Sequence, residues 1–166
     1  MEEISKYLEN KQINEESEQN DEPMTDLYLY DGKIEVLPEN LGKLTHLEEF
    51  ALFADPDYDS DIPLDLLPES IGNLKNLRSF CVQNAHLETL PESVGMLQNL
   101  KEIELQGNGL FSLPKNIGEL QNLRILEFNH NNLTTLPDNI ANLPNLKELY
   151  LVDCPFESLP DSIGNL

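Results

Sequence analysis

The stretch LRILEFNHNNLTTLP, residues 123–137, combines two hydrophobic periods in one short segment. From Leu126 to Phe128 apolar and polar residues alternate, which is typical of a strand with one buried face. Leucines spaced by three residues, Leu120 and Leu123, lead into it, and this spacing indicates a helical turn. A strand of about three residues cannot bury its apolar face alone. The stretch therefore predicts stacking on other copies of itself.

Copies of this unit recur along the chain, each closing on a Leu-Pro pair. The last five of these pairs lie 23 residues apart, whereas the first interval is 30 residues. Repeats of this length, each with one strand, predict a parallel sheet that shares a continuous leucine core. The prolines of the six pairs are Pro38, Pro68, Pro91, Pro114, Pro137 and Pro160.

Residues 123–133, LRILEFNHNNL, resemble the leucine-rich repeat motif L-x-x-L-x-L-x-x-N-x-L at every defined position except Phe128. Residues 100–110, LKEIELQGNGL, resemble it with Ile103 in place of leucine. The LPxxIGxLxxL part of each unit is similar to a 23-residue subclass found in many bacterial and plant intracellular proteins. The resemblance implies an α/β solenoid, a horseshoe arc with short parallel strands on its concave face and short helical or 3-10 turns on its convex face.

Two regions follow from this pattern. Residues 24–166 form a domain of about six repeats, and residues 1–23 form an acidic N-terminal segment that can supply a capping helix. Leu166 lies midway through a repeat, with no evident C-terminal cap. Either the chain is a fragment of a longer protein, or a partner contacts the uncapped end. The fragment interpretation is favoured.

The first long interval contains a seven-residue acidic insertion, residues 55–61. Alternating aspartates suggest a calcium loop, but an EF-hand loop counted from Asp55 requires glycine where Ser60 stands and glutamate where Leu66 stands. A solvated acidic loop is therefore favoured over a calcium site. A third interpretation makes the insertion a rim of the binding face, where insertions in repeat proteins often lie.

The charge of the chain restricts its partners. A formal net charge of −21 and a pI of about 4.2 disfavour nucleic acid and anionic membranes and favour a basic protein or peptide. The N-terminus has no basic region followed by an apolar run, so a cytoplasmic location is expected. Cys81 and Cys154 show no metal-ligand spacing and no disulfide framework.

Equivalent residues of stacked strands should form columns on the concave face. Exposed aromatic residues on a rigid surface are typical anchors for a protein partner, and the glutamates would favour a basic one. A purely structural role of these charges stays open, because a basic ladder of Arg78, Lys101, Arg124 and Lys147 could offset them. The predicted partner-binding residues are Tyr28, Tyr30, Glu49, Phe53, Gln83, Glu102, Glu104, Gln106, Glu127, Asn129, Glu148 and Tyr150.

No catalytic constellation is recognisable in the sequence. The three histidines occupy different positions of different repeats, and there is no phosphate-binding glycine loop, metal-ligand cluster or cofactor motif. An exposed Cys81 would lack an activating group. We therefore expect a non-catalytic protein-interaction module with no cofactor. The alternative is the recognition part of a larger signalling protein or enzyme of the kinase, GTPase or ubiquitin-ligase type.

Overall fold

A computed structural model describes residues 23–30, 33–54 and 61–166. Within them, six parallel strands pair in chain order, so each strand contacts only its neighbours in the repeat. The strands shorten along the chain from five residues to three. They are β1 Asp26–Tyr30, β2 Glu49–Phe53, β3 Ser79–Gln83, β4 Glu102–Glu104, β5 Ile125–Glu127 and β6 Glu148–Tyr150.

The convex side is built from short 3-10 helices, one after each Leu-Pro pair. In five of the six helices proline is the residue before the first turn, with the extended backbone that starts it. This confirms the predicted solenoid with short helical turns opposite the sheet. The helices are Glu39–Lys43, Glu69–Asn73, Glu92–Met96, Ile117–Glu119, Asp138–Asn142 and Asp161–Asn165.

The core runs continuously between the sheet and the helices, as the apolar spacing predicts. Each coil contributes about seven inward side chains, and burying each contributes roughly 1.5–3 kcal/mol. In the coil that ends at Pro137, all seven are buried: Ile117, Leu120, Leu123, Leu126, Phe128, Leu133 and Leu136.

A ladder of buried amides ties the coils together beside the core. The Asn131 Nδ2 atom donates to the carbonyls of Leu105 and Phe128, at 2.8 and 3.0 Å. Its Oδ1 atom accepts the Leu110 N–H at 3.0 Å, so both ends of the amide are satisfied. Asn108 repeats this pattern one coil earlier. In the last coil Cys154 takes the place of asparagine and donates only to the Phe128 carbonyl, at 3.1 Å.

A second set of polar side chains links neighbouring coils on the convex side. Asn or Ser two residues after each proline is a residue type that caps helical turns, but none of these side chains caps its own helix. Instead, Asn116 donates to the Glu92 carbonyl and Ser162 to the Asp138 carbonyl, both in the preceding coil. For Asn116, the lack of a side chain on Gly95 of the preceding coil leaves space for this contact.

The ends and the insertion are described only in part. The predicted capping segment and most of the acidic insertion lie outside the described residues. After the insertion, Ile62 and Leu64 are fully buried, and Ile62 pairs with Ala85 of the next coil. In the last coil Leu159 and Leu166 are about half exposed.

Candidate functional site

The strand register places equivalent residues side by side across the concave face. Tyr28 pairs with Ala51, and Cys81 pairs with Glu104, as the 23-residue spacing predicts. Gln106 and Asn129 lie just beyond the ends of β4 and β5, in a third column that is two residues after the central column. Backbone hydrogen bonds between neighbouring coils continue there. The central column reads Tyr28, Ala51, Cys81, Glu104, Glu127 and Tyr150, and the column before it reads Asp26, Glu49, Ser79, Glu102, Ile125 and Glu148.

Glutamates cluster on the middle of this face. Glu102 and Glu104 lie on β4, half-buried, and Glu127 lies beside Glu104 on β5. Neutral donors hold their side chains: Gln83 Nε2 donates to Glu104 Oε2 at 3.2 Å, and Asn129 Nδ2 donates to Glu127 Oε1 at 2.7 Å. Like charges on neighbouring strands repel. The cluster therefore carries unneutralised negative potential.

Within the described residues, the predicted basic ladder forms no direct ion pair with this cluster. Arg78 forms an ion pair with Glu48 at 3.0 Å, at the start of the strands and off the concave columns. In the part of the chain that the structure describes, no lysine, arginine or histidine forms an ion pair with Glu102, Glu104 or Glu127.

Aromatic side chains flank the acidic cluster. Tyr28 and Tyr30 on β1 are 49% and 62% exposed, and Tyr150 on β6 is 41% exposed. Phe53 on β2 is half-buried and stacks on Tyr30, with ring centroids 5.4 Å apart. The predicted aromatic residues therefore lie at the two sides of the face, with Glu104 and Glu127 between them.

Two tyrosines are bonded to glutamates. The Tyr28 hydroxyl donates to Glu49 on the neighbouring strand, and the Tyr150 hydroxyl donates to Glu148 at 2.5 Å. The hydrogen bond to the Glu49 carboxylate raises the pKa of Tyr28 to about 12, because the phenolate form would lose the bond and face a negative charge. The bond to Glu148 raises the pKa of Tyr150 in the same way. These carboxylates hold the tyrosine rings in place on the face.

Cys81 differs from its sequence expectation, because it is buried rather than exposed. Only 5% of it is accessible, since the larger side chains around it cover this central position. Burial raises the pKa of the Cys81 thiol to about 12, and the nearby Glu104 carboxylate adds to the effect. A protonated, covered thiol is a poor nucleophile, which agrees with an incidental cysteine.

A second concavity, of about 390 Å³, lies where the strands end, and the sequence did not predict it. His86 lies in it, with its Nε2 atom 3.6 Å from Asp61 Oδ2. A sequence signal for the turns around it exists: Asn84, Gly107, His130 and Asp153 are spaced by 23 residues and all have positive φ. Glycine, asparagine, aspartate and histidine are the residues enriched in this conformation. The lining residues are Asp61, Asp65, Ala85, His86, Glu88, Gly107, Asn108, Gly109 and Asn132.

Over residues 23–30, 33–54 and 61–166, no group of three or more histidine, cysteine, aspartate or glutamate side chains is arranged to hold a metal ion. Over the same residues, no helix has the length and apolar character needed to cross a bilayer.

Comparison with known proteins agrees with this architecture. The leucine rich repeat family matches residues 98–156. The chain has the fold of a leucine-rich repeat solenoid. No curated protein sequence matches it. Leucine-rich repeat domains generally bind other proteins and are generally non-catalytic, so the solenoid is a protein-interaction repeat module.

Three solved structures illustrate the similarity of the solenoid to other proteins. A leucine-rich repeat protein of Leptospira interrogans is 34% identical, with a TM-score of 0.61 over 81% of this chain. The leucine-rich repeat domain of the type III effector XopL is 21% identical, with a TM-score of 0.73 over 96% of this chain. The ectodomain of an Arabidopsis thaliana membrane receptor kinase, solved with Casparian strip integrity factor 2, is 27% identical, with a TM-score of 0.57 over 73% of this chain. The solenoid spans 38%, 65% and 14% of these chains, respectively.

Proposed function

We propose that the concave face of this solenoid binds a protein or peptide of basic character. The repeats are assigned, on the spacing of their Leu-Pro pairs, to the 23-residue LPxxIGxLxxL subclass. The proposed location is the cytoplasm, and nucleic acid and membranes are not proposed partners because both are anionic. No cofactor is required.

One observation carries the proposal: the unpaired carboxylates of Glu102, Glu104 and Glu127 on adjacent strands. Holding like charges together is unfavourable unless something offsets the repulsion. A cationic partner would offset it and would gain affinity from the complementary potential. The exposed rings of Tyr28, Tyr30 and Tyr150 would add apolar contact area at the sides of the face.

A labelled oligolysine peptide tests the proposal by fluorescence anisotropy. We expect binding that weakens as salt rises from about 50 to about 300 mM, because added ions screen exposed charges. The double variant Glu104→Lys/Glu127→Lys should weaken binding about tenfold or more, since it converts attraction into repulsion.

A matched control separates the concave face from the net charge of the chain. The double variant Glu69→Lys/Glu119→Lys changes the net charge by the same amount, but at exposed positions of the convex 3-10 helices. We expect a much smaller loss of affinity. Equal losses in the two double variants would contradict a binding site on the concave face.

A second candidate is that the solenoid is the recognition part of a larger signalling protein or enzyme. The similarity to a receptor kinase ectodomain, of which this chain spans 14%, supports it. Sequencing the reading frame beyond Leu166 tests this candidate. A kinase, GTPase or ubiquitin-ligase domain there would support it, and a stop codon directly after Leu166 would exclude a domain on that side.

A further inference from the structure

The turn after β4 contains two glycines, and the fold requires only one of them. Gly107 has a positive φ of 68°, and a Cβ atom added there would collide with the Asn84 side chain. Gly109 has no positive φ, and a Cβ atom added there would meet nothing closer than the Leu87 carbonyl oxygen, at 3.5 Å, an ordinary contact distance. The equivalent residues of other coils are His86, Asn132 and Pro155. Neither backbone geometry nor packing therefore explains the glycine at position 109.

This glycine directly follows a buried asparagine, and Asn108–Gly109 is the single Asn-Gly pair of the sequence. Asparagine is chemically labile because the backbone nitrogen of the next residue can attack its side chain, and a following glycine has no Cβ atom to hinder the attack. The Gly109 nitrogen would lose its proton to solvent and bond to Asn108 Cγ, and the side-chain nitrogen would leave as ammonia. Water would then open the resulting succinimide to aspartate or isoaspartate. Asn108 thus has the neighbour that makes deamidation fastest.

The folded structure restrains both reacting groups. The Gly109 N–H donates to the Leu87 carbonyl of the preceding coil at 3.0 Å, which holds the attacking nitrogen and its proton in place. The Asn108 Nδ2 atom donates to the carbonyls of Val82 and Leu105, at 2.8 and 3.0 Å, which holds the leaving group. Only 9% of Asn108 is accessible, so solvent has little access to the reaction site. The reaction therefore requires the coil that contains β4 to separate from the coil that contains β3.

The product of the reaction does not fit the place of the amide. A carboxylate donates no hydrogen bond, so an aspartate in place of Asn108 would set a negative charge against the carbonyl oxygens of Val82 and Leu105. An isoaspartate would in addition insert a methylene group into the backbone of the turn. In either form, the coil that contains β4 could no longer close in the same way on the coil that contains β3.

We propose that Asn108 is a site of spontaneous deamidation that reacts only when these two coils separate, so that opening of this junction becomes irreversible. Asn131 in the next coil makes matching hydrogen bonds, but it is followed by Asn132, whose side chain hinders the attack. The reactive junction therefore lies between β3 and β4, in the middle of the six described strands. This inference is independent of the proposed function, because it concerns the contact between coils and no partner.

Incubation of the chain, folded in buffer and unfolded in urea, tests the site, with mass spectrometry of the peptides that contain Asn108 and Asn131. We expect Asn108 to deamidate at least about a hundredfold more slowly in the folded chain, because only the opened fraction reacts. In urea, Asn108 should react about tenfold faster than Asn131, because glycine does not hinder the attack. The variant Gly109→Ala, for which the structure has space, should fold normally and lose this difference in urea.

The variant Asn108→Asp tests the consequence of the reaction. Its urea midpoint should be lower than that of the unmodified chain, and failure to fold would be the same result in a stronger form. The matched control Asn132→Asp adds the same charge at an exposed position of the next coil and should leave the midpoint unchanged. Equal deamidation of Asn108 in the folded and unfolded chains, or equal rates for Asn108 and Asn131 in urea, would overturn the proposal. Equal midpoints of Asn108→Asp and Asn132→Asp would overturn it as well.

Discussion

At the scale of single residues, the structure depends on polar side chains that lie between coils. Asn131 is 97% buried, yet each of its polar atoms has a partner in its own or a neighbouring coil. A buried amide with all its hydrogen bonds made is tolerated, whereas an unmade one is costly. Asn108 and Asn131 therefore help to fix the spacing between coils in the middle of the solenoid.

Replacing Asn131 should destabilise the chain strongly. Asn131→Ala leaves the Leu110 N–H and three carbonyls without their side-chain partner, which should lower the free energy of unfolding by about 3 kcal/mol. Urea denaturation followed by circular dichroism measures the change. The control is Asn132→Ala at the exposed neighbouring position, which should change stability by less than about 0.5 kcal/mol. Similar losses in the two variants would argue against the amide ladder.

The titration of Tyr28 is a second prediction at this scale. Its pKa of about 12 depends on the bond to Glu49, so Glu49→Gln removes the negative charge and should lower the Tyr28 pKa towards 10. An NMR titration of the tyrosine ring carbons reports the value. Glu148→Gln, at the opposite side of the face, should leave Tyr28 unchanged. A Tyr28 pKa that does not respond to Glu49→Gln would show that the bond is absent in solution.

At the scale of elements, the glycines of the first four convex 3-10 helices described, Gly42, Gly72, Gly95 and Gly118, pack against the next coil. A Cβ atom added at Gly118 would collide with the Asn139 carbonyl oxygen, and one added at Gly72 would collide with Ser93. Ala141 stands at the same repeat position in the fifth coil, where it faces the last coil and is only half-buried. The restriction to glycine therefore holds from the first helix to Gly118 and is relaxed towards the last coil.

Gly118→Ala tests this close approach. The extra methyl must push two coils apart, which should cost about 1–3 kcal/mol of unfolding free energy. Gly164→Ala is the matched control, because it occupies the same repeat position in the last coil and has no atom within 4 Å of the added Cβ. Its stability should be unchanged or slightly raised. Thermal or urea unfolding of the two variants compares them, and equal stability would contradict close packing at Gly118.

At this scale it is also clear which features of the structure could be predicted from the sequence. The pairing of Cys81 with Glu104 is predictable, because a constant repeat length puts equivalent residues on neighbouring strands. The burial of Cys81 is not, since it depends on how large neighbouring side chains orient. The hydrogen-bond partner of the Asn116 side chain could not be predicted either. A preference of asparagine for capping helices does not indicate that the side chain donates to a carbonyl of the preceding coil. Periodicity thus predicts position, while contacts between coils decide exposure and bonding.

At the scale of the whole molecule, one repeated step generates both the core and the face. Each coil adds a strand beside the previous one, so the leucine interior and the concave columns extend together. The chain has a net charge of −21. The concave-face glutamates that form no ion pair among the described residues are where a basic partner would be attracted. Structure and proposed function therefore depend on the same register.

Deletion of whole and partial repeats measures that register most directly. Removing residues 115–137 joins Pro114 to Asp138, which occupies the same repeat position as Lys115, and leaves the remaining coils in phase. We predict a chain that still unfolds cooperatively by circular dichroism and is shorter by about one strand spacing, ~4.8 Å, in small-angle scattering. Removing only residues 115–125 breaks the phase and should unfold the neighbouring coils. An unfolded first variant, or a second variant as stable as the first, would contradict stacking at a fixed 23-residue step.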